Sequence, residues 1–416
     1  MLKSLAQSAS LMLVWQCARA GMQGVWAIGL ARTMGPESYG LFAGFAGLAS
    51  TMGALTGLGF GLLMLQATSR DITAFGANWT RALVVTAGSA IALLLVYHSI
   101  AANVTGYELA SLILIAIAVP ELLCLPTTII ASYAFQAHNR MGWAGAMYSL
   151  APAGNLAALG LYLIFGQQQA LEDYLQWHLT VSVVVACLAL IIVGLALRPQ
   201  FRKPRIPRKD GADAAGYATM RLVDTGLASI DKTLVLRLAG SEIAGQYTAA
   251  YRLAALIALP AISLAIAVTP RLFRLGTQPG AALNQIIRNI LRWALLLGVV
   301  SLPLAWIVAH ALPILFGASF EPAGELARLL APLPALLGLT ALGCSVLMAV
   351  GRLASRIVIQ ASSIAALLLL MMWLVPAGEG QGAVYAVLLT YAGLAFALWW
   401  RIMQIPVFRP NPCKPM

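Results

Sequence analysis

Apolar residues in this chain run in long unbroken stretches rather than alternating with polar ones. Stretches able to cross a bilayer lie at roughly 10–32, 39–66, 82–100, 110–133, 144–165, 175–197, 219–238, 247–270, 290–310, 324–350, 357–375 and 384–403. Wound as helices at about 1.5 Å per residue, each covers a hydrocarbon core of about 30 Å, with tilt absorbing any excess. The period-two pattern of a barrel strand is missing, so the predicted element throughout is the helix. The expected fold is all-α and integral to the membrane, with about twelve transmembrane helices. Lipid accepts such surfaces, and helices satisfy their own backbone hydrogen bonds within it.

Charge between the stretches gives an orientation. With the N-terminus inside, the even-numbered spans return the chain to Arg70 and Arg81, to His138 and Arg140, to Arg271, Arg274, Arg288 and Arg292, to Arg352 and Arg356, and to Arg401, Arg409 and Lys414. The opposite loops carry Glu37, Glu108, Glu172, Asp173, Glu242, Glu321 and Glu379, with almost no Lys or Arg. Positive loops stay on the cytoplasmic side, so both termini are expected there. The basic, proline-rich stretch Arg198–Asp213 follows the sixth span and reads as a cytoplasmic linker anchoring the topology.

Hydropathy alone would miss the seventh span, 219–238. It holds Arg221, Asp224, Asp231, Lys232 and Arg237, each costing about 2.5–3.5 kcal/mol near a helix centre. If it did not cross, the basic loop at Arg271–Arg292 would fall on the acidic, outer side. Parity therefore requires it.

A repeat supports the same parity. The turn after the first span reads Arg32-x-x-Gly35-x-Glu37-x-x-Gly40-x-Phe42, and the turn after the seventh reads Arg237-x-x-Gly240-x-Glu242-x-x-Gly245-x-Tyr247, at a constant offset of 205 residues. Six spans per repeat is an even number, so the halves are parallel repeats related by a pseudo-two-fold along the membrane normal. The expected domains are a six-helix lobe at 1–197, a basic linker at 198–218, a second six-helix lobe at 219–403 and a cytoplasmic tail at 404–416. In transporters built this way the substrate site lies between the halves.

Composition excludes a soluble protein: 61% of residues are hydrophobic, 10% are charged and the mean hydropathy is +0.85. The net charge of +12 follows the topology pattern, so lipid headgroups rather than nucleic acid account for it. The five cysteines, Cys17, Cys124, Cys187, Cys344 and Cys413, are scattered and give neither a metal site nor a disulfide framework. Ala18-Arg19-Ala20 has the look of a signal-peptidase site, but the repeat requires that segment as a helix, so no cleavage is expected. There is no P-loop and no long external loop bearing catalytic carboxylates or histidines, so no enzyme chemistry and no cofactor are expected.

Ionisable groups inside spans usually face a bundle interior or a wet cavity. Gln16, Arg19 and Gln23 share one face of the first span. On the seventh, Arg221, Asp224, Thr225, Ala228, Asp231 and Lys232 fall within about one third of the helix circumference. Arg252 and Glu121 are isolated in the eighth and fourth spans, and Glu121 lies between Pro120 and Pro126. A cationic excess facing a cavity suits an anionic substrate, since guanidinium forks match phosphate oxygens. Diphosphate-binding candidates are therefore Arg19, Arg252, Lys232, Arg221, Gln16 and Gln23, with Asp224, Asp231 and Glu121 as coupling or gating groups. The offset maps Arg19 onto position 224, so an Arg19–Asp224 ion pair is expected in the empty cavity. Glu325 and Arg328, three apart, are expected to pair locally.

The segment Arg32–Gly40 resembles the first turn of the polysaccharide-transport branch of the multidrug/oligosaccharidyl-lipid/polysaccharide exporter superfamily. Ile230–Arg252, with Pro260 and Pro270 beyond it, is similar to that family's span 7–8 signature. The likeness covers the whole chain in topology and those two turns in sequence. It implies a Wzx-type flippase moving polyprenyl-diphosphate-linked oligosaccharide units to the outer leaflet of a bacterial inner membrane, by alternating access of two lobes around a cationic cavity. It implies that Arg19 and Arg252 line that cavity. A polysaccharide polymerase and a chain-length regulator are the expected protein partners, with membrane lipid around the chain. Two readings stay open beside it: a cation-coupled drug or metabolite antiporter using Asp224 or Asp231, and a non-transporting scaffold of a synthesis complex.

Overall fold

The computed structural model of the chain describes residues 2–166, 171–201, 208–276 and 281–404. The middle of the basic linker and the tail with Arg409, Cys413 and Lys414 lie outside them. Every regular element among the described residues is helical. Among them, seven helices are long and apolar enough to cross a membrane, or up to nine if each of two bent pairs is one span. Large apolar side chains lie exposed along their outer faces, including Leu95, Ile164, Leu195 and Trp373, as contact with lipid tails requires.

Contacts divide the chain into two compact units, Met1–Gly245 and Gln246–Met416. The first holds α1 (Leu2–Gly53), α2 (Phe60–Arg70), α3 (Phe75–Thr105), α4 (Ser111–Val119), a π-turn (Pro120–Cys124), α5 (Leu125–Ala137), α6 (Met141–Phe165), α7 (Leu171–Leu197), α8 (Arg208–Ala239) and the start of α9 (Ser241–Gly276). One of its apolar clusters joins Met64, Phe75, Trp79, Ile130, Phe135, Met147 and Val193 from five helices. The second holds the rest of α9, then α10 (Ala281–His310), α11 (Leu312–Phe316), α12 (Glu321–Leu329), α13 (Leu333–Ala349) and α14 (Leu353–Met403). There Trp399 Nε1 donates to the Leu339 carbonyl at 3.2 Å and the hydroxyls of Tyr251 and Tyr391 lie 3.4 Å apart.

Several expected spans are broken rather than straight. The second bends by 42°, where Gly57, Leu58 and Gly59 all take positive φ. The fourth is interrupted by the π-turn between Pro120 and Pro126, each proline removing one helical N–H. The tenth bends by 54° between α12 and α13. The long α14 leaves helical geometry at Glu379, φ 46°, close to Pro376.

The glycines of the repeated turn, and the charges of its second copy, have physical reasons. Gly35 and Gly240 take φ of 72° and 91°, a left-handed conformation that ends one helix and that glycine adopts without a Cβ penalty. Arg237 stands in the last turn of α8 and Glu242 in the first turn of α9, each complementing the helix dipole there. Gly40 and Gly245 serve close approach. A Cβ on Gly40 would overlap the Ser241 carbonyl oxygen, and a Cβ on Gly245 would overlap the Pro36 carbonyl oxygen. Pro36 and Ser241 are themselves related by the offset of 205, so the two copies of the turn grip each other reciprocally. Further along the same seam, Thr233 Oγ1 donates to the Gly44 carbonyl at 2.7 Å, and a Cβ on Gly47 would fall 2.6 Å from the Ser229 carbonyl.

Candidate functional site

α8 carries the densest set of intramembrane charges. Asp231 and Lys232 are buried and paired, with Lys232 Nζ 2.8 Å and 3.0 Å from the two carboxylate oxygens. The same ammonium donates to the Ala228 carbonyl at 2.6 Å. Neighbouring helix positions point about 100° apart, so the lysine folds back along its own helix to reach the aspartate. Its charge is spent locally, and a phosphate could recruit Lys232 only by opening this pair. Arg221 and Asp224 lie half-buried on the preceding turns of α8.

On α1, Gln16 and Arg19 are half-buried and Gln23 is exposed. The Arg19 guanidinium lies over the Tyr148 ring of α6, 5.2 Å from its centroid. The expected ion pair with Asp224 is not formed: a cation–π contact on the neighbouring helix holds the arginine instead. Arg328 likewise donates to the Gly324 carbonyl of its own helix at 3.4 Å rather than to Glu325. Arg252, in the second unit, is partly buried on α9.

Glu121 sits in the π-turn, a distortion frequent at functional sites. It lines a cavity of about 40 Å³ together with Cys124, Thr128, Asn155, His178 and Ser182. The partners from α6 and α7 belong to no motif in the sequence. Asn155 and Ser182 look like ordinary polar residues of a span; His178, a lone imidazole inside an apolar stretch, is the one that could have been suspected. It is 3% exposed.

Two further buried cations come from segments read as loop anchors. Arg81, within α3, donates to Asn78 and lies 5.7 Å from the Phe60 ring centroid. Arg356 donates from Nε to Gln360 Oε1 at 3.1 Å. No group of three or more His, Cys, Asp and Glu that could hold a metal occurs among the described residues, and Cys17, Cys124, Cys187 and Cys344 are free thiols.

A family described as polysaccharide biosynthesis protein matches residues 5–276. The chain belongs to that family. No curated protein matches it. Among solved structures, it is similar to a multidrug resistance MATE family transporter of the MOP superfamily in an inward-facing conformation, with TM-score 0.75 and 14% identity over 97% of this chain and 100% of that one. It is also similar to the lipid II flippase MurJ in an inward closed conformation, with TM-score 0.70 and 10% identity over 95% and 88% of the two chains. A third is a MOP superfamily transporter from Pyrococcus furiosus, with TM-score 0.64 and 13% identity over 98% and 96%. At these identities the likeness establishes the fold, a two-lobed helical architecture.

Proposed function

We propose that this chain is a flippase for polyprenyl-diphosphate-linked oligosaccharide, moving repeat units from the inner to the outer leaflet of a bacterial inner membrane. The observation that carries the reading is membership of a polysaccharide biosynthesis family on a fold shared with a lipid flippase and drug transporters. The proteins that share the fold are transporters and flippases rather than enzymes. In this reading the lobes are 1–197 and 219–403, joined by the linker 198–218, with both termini cytoplasmic and twelve crossings. Arg19, Arg221, Arg252 and Lys232, with Gln16 and Gln23, receive the diphosphate, and Asp224, Asp231 and Glu121 respond to it. A polymerase and a chain-length regulator would take the unit up on the far side. Complementation of a flippase-deficient strain, read as surface polysaccharide, is the test; restored polymer supports the reading and a well-inserted chain that restores none sinks it.

The MATE-type fold match over the full chain favours one second reading, a cation-coupled antiporter of small molecules. Efflux of a fluorescent cationic dye from cells expressing the chain, with no restored polymer, would choose it.

A further inference from the structure

Glu121 occupies a stretch, Ser111–Ala137, whose most apolar 18 residues have a mean hydropathy of 2.2, where a carboxylate is expensive to insert. The chain surrounds it with polar groups from three other helices: Thr128 of α5, Asn155 of α6, and His178 and Ser182 of α7. The cavity they share, about 40 Å³, has room for a few waters. Pro120 and Pro126 cannot donate to the carbonyls of Ala116 and Leu122 one turn back, so the regular α-helical ladder is broken on either side of Glu121.

His178 is held by a directed chain. Trp26 Nε1 donates to the Tyr174 hydroxyl at 2.9 Å, and that hydroxyl lies 3.5 Å from His178 Nδ1. An indole N–H can only donate, so the tyrosine oxygen accepts there; where its own hydrogen goes to Nδ1, the neutral imidazole carries its hydrogen on Nε2. Tyr174 stacks on the ring with centroids 5.5 Å apart, and Phe42 packs edge-on at 5.9 Å, so the ring is held in place. Trp26 follows Arg19 by seven residues, and so lies on the same face of α1 as the candidate diphosphate groups.

We propose that this cavity is a proton-binding site in which Glu121 takes up the proton and His178, fixed as the Nε2–H tautomer by Tyr174 and Trp26, supports the ionised carboxylate. Uptake converts the carboxylate and one proton from water into the carboxylic acid; no other bond changes. Titratable groups around it are Cys124 of the π-turn, Tyr174 and Cys187 of α7, Tyr162 of α6, packed on Tyr174, and Tyr97 of α3, which donates to the Phe45 carbonyl. Thiols and phenols are neutral at pH 7 by their ordinary values. Glu121 and His178 are the remaining ionisable groups of the cavity. The inference rests on the transport reading only for its use, as the coupled ion of the cycle, with the Trp26 link carrying the state of the site to α1.

The test uses full-length protein, labelled with ¹⁵N-histidine in lipid nanodiscs and followed by NMR against pH. The chain has 4 histidines, and His178→Gln assigns the signal. Expected is an Nε2-protonated, Nδ1-bare His178 whose shifts move with a midpoint between about pH 5 and 8, the range of tuned carboxyl groups. Glu121→Gln should abolish that step and leave the tautomer intact. Tyr174→Phe should admit the other tautomer and raise the midpoint by about 0.5–1 unit, a three- to tenfold gain in proton affinity, because the carboxylate loses a donor. An Nδ1-protonated His178 in the unmutated protein overturns the proposal without any variant. So does a His178 signal that stays still across this range, or one that moves alike in Glu121→Gln. None of these readings uses a sugar substrate. A titrating site in a chain that restores no polymer refutes the flippase reading alone, and restored polymer with a silent site refutes the proton site alone.

Discussion

Lys232 and Asp231 illustrate what a charge inside a membrane helix has to do before it can act on a ligand. The lysine makes short contacts to the Ala228 carbonyl and the Asp231 carboxylate of its own helix, and both residues of the pair are buried. Removing one partner strands the other, at a cost of about 3–5 kcal/mol. Lys232→Met should therefore lower the thermal unfolding midpoint of the detergent-solubilised protein sharply, while Lys232→Met combined with Asp231→Leu should regain most of the loss. If the single and double variants unfold alike, the pair is not an interacting unit. Arg19 is a different case, since Tyr148 stacks on it without neutralising it. Arg19→Ala should abolish export at equal protein level, and Arg19→Lys should keep part of it, because an ammonium supplies charge but no fork. Arg252→Ala should impair export more than Arg328→Ala, since Arg328 is exposed and its guanidinium hydrogen-bonds only its own helix. The opposite order would move the substrate path toward α12.

At the scale of elements, the repeated turn was legible because its requirements are local. A left-handed glycine, an acid opening a helix and a base closing one each leave a letter at a fixed place. The reciprocal contact of Gly40 and Gly245 was not legible, because a glycine needed for close approach reads the same as one needed for a turn. Helix breaks were partly hidden for a similar reason. Pro120 and Pro126 flagged the π-turn, and the break at Glu379 falls in the expected loop between the last two spans, whereas Leu58 takes positive φ inside an expected span with no sign in its own side chain. The cavity around Glu121 was half legible, since the acid stands out in an apolar run and its partners come from helices distant in sequence. Gly40 gives the sharpest check on the seam. Gly40→Ala drives a Cβ into the Ser241 backbone and should cost about 1–3 kcal/mol, and Gly245→Ala should match it. Gly21→Ala, with nothing within 4 Å of the new Cβ, should be neutral or stabilise by up to about 1 kcal/mol. Equal unfolding midpoints for all three would mean that the two turns do not bear on each other.

For the whole molecule, the question that length and apolarity leave open is whether α8 crosses. It fails a hydropathy test through its own charges, yet it packs along α1 through Gly44 and Gly47. Helices in such close contact share an environment, so a spanning α1 draws α8 across with it. The insertion cost falls because Asp231 and Lys232 enter already paired. Parity then turns this one helix into a statement about every segment after it. If α8 crosses, the basic segment holding Arg288 and Arg292 returns to the cytoplasm with Arg352, Arg356 and Arg401. If it does not, all of these face outward against the positive-inside rule. Reporter fusions truncated after Asp213 should be active as cytoplasmic reporters, and fusions truncated between Gly240 and Gly245 as external ones. A cytoplasmic signal at the second point would remove the crossing, the parallel repeat and the cationic cavity assigned to α8 together, because all three depend on where that single turn lies.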